Sequence, residues 1–154
     1  YYFNLEYLGS LPIIVQGCVG IQTDNKNFKN FVLIKFWRDP KVPESSQGEL
    51  TLESGQQLLE TIIRCWSPHL ATWTTTAWLR AVPKREAYTP SLGWKTYFSE
   101  PAVCELISDL GNPLHQGILL ETATDIHDVT PEKIAALAQE LADRGVEDTL
   151  YRGA

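Results

Sequence analysis

The chain has 154 residues, 44% of them hydrophobic and 21% charged, with a formal net charge of −6. It is long enough for one domain with a sizeable core and too apolar for a disordered chain, and no segment approaches the roughly 20 apolar residues of a membrane-spanning helix. Five Trp, six Tyr and five Phe supply the aromatic mass, while methionine is absent, so the sequence reads as a processed product or a fragment.

Residues 1–8 alternate Phe3, Leu5 and Tyr7 against Asn4 and Glu6, the period of a half-buried strand. Residues 12–23 are rich in β-branched side chains and predict a second strand, with a bulge or a close backbone approach at Gly17 or Gly20. Asp24 to Asn27 is a polar turn, and Phe31 to Trp37 predicts the strand that closes a hairpin with the one before. Asp39 to Gly48 holds Pro40, Pro43, Ser45 and Ser46 and reads as a loop inside the domain. Ser54 with Gln57 three residues on is a capping-box pattern. The helix it opens carries Leu58, Leu59, Ile62, Ile63 and Trp66 on one face and stops at Pro68.

Residues 70–82 predict a short extended piece and then a short helix capped by Thr75 or Thr76. Lys84 to Ser91 reads as a loop, and Trp94 to Phe98 alternates as a strand with Trp94, Thr96 and Phe98 on one face. Ile118 to Ala123 predicts another strand. The last helix has Thr130 as N-cap, Pro131 at its first position and Glu132 in its first turn, where the helix dipole favours a negative charge. Ile134, Leu137, Ala138 and Leu141 form its apolar stripe, and Gly145 sits where a glycine ends a helix. Hairpin-like spacing excludes a repeating βαβ pattern. The expected class is α+β, an antiparallel sheet with two or three helices packed on it, in a single domain over 1–154.

Charge is unevenly distributed. Residues 1–43 carry net +2, 44–60 net −4, 61–99 net +4, and 100–154 net −8. Between Lys95 and Lys133 there is no lysine or arginine, yet seven acids occur: Glu100, Glu105, Asp109, Glu121, Asp125, Asp128 and Glu132. An acidic surface repels nucleic acid and anionic membrane and attracts basic protein; otherwise it is a solvated face.

Motifs that carry chemistry are missing. The chain has no phosphate-binding loop, no dinucleotide fingerprint and no serine nucleophile elbow, so no enzyme activity and no cofactor are expected. Cys18, Cys65 and Cys104 are odd in number and widely spaced, which reads as buried free thiols in a reducing compartment, the cytoplasm. His69, His115 and His127 lack the helical spacing of a zinc protease. Asp125, His127 and Asp128 make one compact cluster with a metal-ligand composition, set against its reading as a loop that leads into a helix cap. Arg80, Lys84 and Arg85 lie near Trp73, Trp78 and Tyr88, a pattern that can bind single-stranded nucleic acid, but the acidic chain is the wrong electrostatic footprint.

The helix QQLLETIIRCWSP runs into ATWTT, a short helix, a polar loop and SLGWKTYFS; GILLETATDIHDVTPEKIAALAQEL then gives a strand, an acidic turn, a proline and a helix. This order, with Gly93, Trp94 and Tyr97 as the most specific positions alongside the ending from Ile118 to Leu141, resembles the immunity protein 52 family of bacterial polymorphic-toxin systems. The resemblance covers residues 14–145. It departs at the front, where Tyr1 to Pro12 stand in place of a longer helical region, as in a chain lacking an N-terminal part, and at Lys95, where an apolar residue is expected.

The resemblance implies a non-enzymatic inhibitor, often linked to type VI secretion, that binds a cognate secreted toxin in the producing cell. That toxin is expected to be a restriction-endonuclease-like nuclease with a basic domain. Gly93, Trp94 and Tyr97 are read as structural, through a tight turn and core area. Glu100, Glu105, Asp109, Asp125 and Asp128 are the expected toxin contacts, with Glu44, Glu49, Glu53 and Glu60 as the second candidate surface. Neither nucleic acid nor membrane is an expected partner. The alternative reading is an adaptor or chaperone for a basic secreted effector, and a third is a small metal-dependent enzyme at Asp125, His127 and Asp128.

Overall fold

The computed structural model describes residues 2–7, 13–18, 31–36, 51–81 and 90–152. The chain divides into two compact units, residues 1–57 and 58–154. The expected turn at 24–27, the loop at 39–48 and most of the loop from Lys84 lie outside the described residues.

In the first unit β1 (Tyr2–Tyr7), β2 (Ile13–Cys18) and β3 (Phe31–Phe36) form an antiparallel three-stranded sheet in the order β1-β2-β3. The expected hairpin is β2 with β3. Pairing is one to one through Gly17, which faces Phe3 on one side and Val32 on the other. No bulge therefore interrupts the strand at Gly17, because both ladders keep their register there. Gly20 lies outside the described residues.

Helix α1 (Leu52–Trp66) is capped three residues before the expected cap, Ser54. Thr51 is the capping residue: its Oγ1 accepts from the Ser54 N–H at 3.1 Å and donates to the Ser54 hydroxyl at 2.8 Å. Ser54 is thus the third helical residue rather than the cap, since Thr51 offers the same hydroxyl one turn earlier with Glu53 already in the favourable first turn. The helix closes at Ser67, whose φ of 43° stops it one residue before Pro68. Leu59 and Ile63 are buried and Leu58 and Ile62 half-buried, but Trp66 is 53% exposed and does not join the apolar face.

The second unit is organised by a four-stranded antiparallel sheet in the order β4-β5-β7-β6. Its strands are β4 (Leu70–Trp73), β5 (Lys95–Phe98), β6 (Asn112–Leu114) and β7 (Gly117–Glu121). Between β4 and β5 lies α2 (Thr76–Ala81), capped by Thr75, whose Oγ1 accepts from the Trp78 N–H. After β5 come α3 (Pro101–Ile107), α4 (Pro131–Asp143) and α5 (Val146–Arg152). The α+β class holds, with five helices among the described residues. α3, α5 and the short strand β6 had no clear sequence signal.

Both central strands are buried on both faces. Trp94, Phe98, Ile118 and Leu120 pack with Val103 and Ile107 of α3, Ile134, Ala138 and Leu141 of α4, and Val146 of α5. Tyr97 and Leu119, pointing the other way, pack with Leu59 and Ile63 of α1. The sheet is therefore the middle layer between α1 and the α3–α5 group, which is why β7 reads as an unbroken apolar run, Ile118-Leu119-Leu120, rather than an alternation. α4 follows its sequence signals closely. Thr130 Oγ1 accepts from the Lys133 N–H, and Gly145 has φ of +77° just past the Arg144 cap.

Gly93 and Trp94 enter the sheet through a pinned segment. Four consecutive carbonyls, residues 91–94, each accept a hydrogen bond from a residue distant in sequence. Thr72 Oγ1 donates to Ser91 at 2.8 Å, Thr74 Oγ1 to Leu92 at 2.8 Å, Thr122 Oγ1 to Gly93 at 2.6 Å and the Thr122 N–H to Trp94 at 2.9 Å. Trp94 Nε1 donates in turn to the Ala123 carbonyl at 2.9 Å. Gly93 is structural, but for close approach rather than a turn: a Cβ there would stand 2.0 Å from the Trp73 carbonyl oxygen. Tyr97 is fully buried, and burial pushes its phenol upward.

Lys95, unexpected in a core strand, is only 5% exposed. It faces Glu121 directly across the β5–β7 ladder and forms an ion pair with it, and its ammonium lies 4.9 Å from the Trp94 ring centroid. The pairing explains how a charge is accommodated where an apolar residue was expected. The Glu121 side chain keeps 34% exposure, so water reaches one end of the pair.

Urea unfolding reads the stability of four substitutions. Gly93→Ala should cost at least about 2 kcal/mol, because its Cβ meets backbone that cannot step aside. Gly145→Ala has open space around it but the wrong sign of φ, and should cost only about 1 kcal/mol. Glu121→Gln should cost about 1–3 kcal/mol, below the range for fully enclosed pairs because of the exposure of Glu121. Lys95→Met should stay within about 1 kcal/mol of the parent. Equal losses for Glu121→Gln and Lys95→Met would show that the pair, not the buried ammonium, is what matters.

Candidate binding surface

The five acids expected to contact a partner lie on two segments, one around α3 and one just before α4. Glu100, Glu105 and Asp109 belong to α3 and its flanks. Asp125 and Asp128 belong to the 3-10 turn at Ile126–Asp128 that leads into α4. Asp109 is tied to Arg144, just past the C-terminal end of α4, so α4 separates Asp109 from Asp125 and Asp128 by its own length. Thirteen residues make that about 20 Å. The acids form two clusters rather than one.

Their electrostatic states also differ. Asp109 makes a two-pronged ion pair with Arg144, at 2.6 and 3.0 Å, and the guanidinium holds its carboxyl below the usual aspartate range. Arg144 reaches as well to the Leu106 carbonyl at 2.8 Å and to Glu140 Oε1 at 3.1 Å, which ties the end of α3 to the end of α4. Asp125 is a capping residue whose Oδ1 accepts from the His127 N–H at 2.8 Å. Glu100 Oε2 lies 3.6 Å from His69 Nδ1. Glu105 and Asp128 are exposed and make no ion pair among the described residues. Of the five, these two present the least compensated charge.

Further exposed residues lie on α4 itself, of which the acids Glu140 and Asp143 were not among the expected contacts. Glu132, Lys133, Ala136, Gln139, Glu140 and Asp143 are all exposed, on the side of α4 away from Ile134, Ala138 and Leu141. The signal was available, since the helical period that assigns 134, 138 and 141 to the core assigns 132, 136, 139, 140 and 143 to solvent. Glu132 accepts from the Thr130 hydroxyl, which holds its carboxyl below the usual range. Exposed acids thus stand at both ends of α4, Asp128 and Glu132 at one and Asp109, Glu140 and Asp143 at the other, with Lys133, Ala136 and Gln139 between them. Of the second candidate surface, Glu53 and Glu60 lie on α1, and Glu44 and Glu49 fall outside the described residues.

Other chemistry finds little support in the geometry. Among the described residues no three His, Cys, Asp or Glu side chains are grouped to hold a metal ion, Asp125, His127 and Asp128 included. Trp73 packs edge-on to Trp94 at 5.4 Å, and Trp73 and Trp78 both pack against the larger core cluster, so neither is a free stacking platform for bases. Lys84, Arg85 and Tyr88 lie outside the described residues. Cys104 is half-buried, its Sγ donates to the Phe98 carbonyl, and burial pushes its thiol upward, the opposite of an activated nucleophile. Cys65 is exposed rather than buried as expected, because it lies on the solvent side of α1. Among the described residues no helix is long and apolar enough to cross a membrane.

The Asp109–Arg144 pair fixes a direction for pH dependence. The folded carboxyl titrates below its unfolded value, so its stabilisation is complete above the ordinary aspartate range and is lost as pH falls through and below that range. Asp109→Asn should therefore lower stability at neutral pH and converge on the parent in acid. Parallel profiles from pH 7 down to acid would show that the pair contributes nothing. Alkylation followed by peptide mass analysis should modify Cys65 well before Cys104 in the folded protein, and the difference should vanish in denaturant.

Comparison with protein-family models, with curated proteins and with solved structures returns no match to this chain.

Proposed function

We propose that this protein is an immunity protein, one that binds a cognate secreted toxin by protein–protein contact and neutralises it in the cytoplasm of the producing cell. The observation that carries the reading is the net charge of −8 over residues 100–154, much of it displayed on exposed positions along α4 and its flanks. A toxin that cleaves nucleic acid must present basic surface to phosphates. A surface with exposed acids at both ends of α4, about 20 Å apart, is a suitable counterpart, since a standard interface buries about 800 Å² on each partner and complementary potentials steer the encounter. The resemblance of the order of elements to the immunity protein 52 family points the same way. Cys65 and Cys104 are free thiols, in keeping with a reducing compartment.

Docking would be carried by Glu105 and Asp128, with Asp109, Glu140 and Asp125 committed to holding the surface in shape. Gly93, Trp94 and Tyr97 support the sheet beneath it and make no contact with the partner.

The test is titration against the toxin domain encoded beside this protein, at two salt concentrations, with association rates measured in parallel. Binding should be tight and should weaken as salt rises. Glu105→Lys and Asp128→Lys should each slow association several-fold and flatten its salt dependence, with unfolding midpoints unchanged. Asp109→Lys should instead lower the midpoint. Absence of binding at either salt would overturn the proposal, and binding to the effector's delivery region instead of its toxic domain would favour an adaptor or chaperone.

A further inference from the structure

We draw no further inference here: the strongest candidate, the exposed Trp66 at the C-terminal end of α1, is an unpartnered apolar side chain, and nothing in the structure shows what covers it.

Discussion

The sheet of the second unit depends on how residues 91–94 are threaded into it. This segment runs between the end of β4 and the residues that follow β7, and it has no room for a side chain at Gly93. Its carbonyls are bonded from one side by Thr72 and Thr74 and from the other by Thr122. A buried carbonyl left without a partner costs about 1–3 kcal/mol, which applies to Leu92 and Gly93, bonded by Thr74 and Thr122, and not to the exposed Ser91 bonded by Thr72. The bonds fix where β5 begins, and hence which of its side chains face α1 and which face α3–α5. Moving β5 by one residue would turn Trp94 and Phe98 away from the larger core.

Charge is used in two different ways in this unit. Lys95 and Glu121 place an ion pair within the sheet, where its directional preference favours one register of β5 against β7. Arg144 works at the surface, collecting Asp109, Glu140 and the Leu106 carbonyl so that the ends of α3 and α4 meet. Glu105 and Asp128 are exposed and make no ion pair among the described residues. That division gives the proposed docking surface its physical content: acids already committed to Arg144 or to a cap stabilise the fold, and those left over set the external potential.

A helix with exposed acids near both ends is a simple way to present such a potential. Its backbone is satisfied internally, its apolar stripe fixes its rotation against the sheet, and its exposed side chains repeat at regular intervals along a line. Thr130, Pro131 and Gly145 define where that line starts and ends. The geometry asks little of the flanking turns beyond holding α4 in place, which Asp125 and Asp109 do.

The sequence by itself determined the local elements and the class. Thr130 with Pro131 starts α4, Gly145 ends it, and the 3.6-residue period within it sorts core from solvent, because caps and periods are properties of neighbouring residues. The same reasoning misplaced the start of α1, since Thr51 and Ser54 offer equivalent hydroxyls and only the packing of the helix chooses between them. It passed over α3, a helix of seven residues that depends on packing rather than on intrinsic propensity. Tertiary structure alone decided that β5 and β7 are covered on both faces, and that Lys95 has its partner 26 residues away in Glu121. It also placed Arg144 against Asp109, 35 residues away, and so withdrew one of the five expected acids from the free surface. Such pairings are set by how strands and helix ends meet in space, which no local pattern of residues encodes.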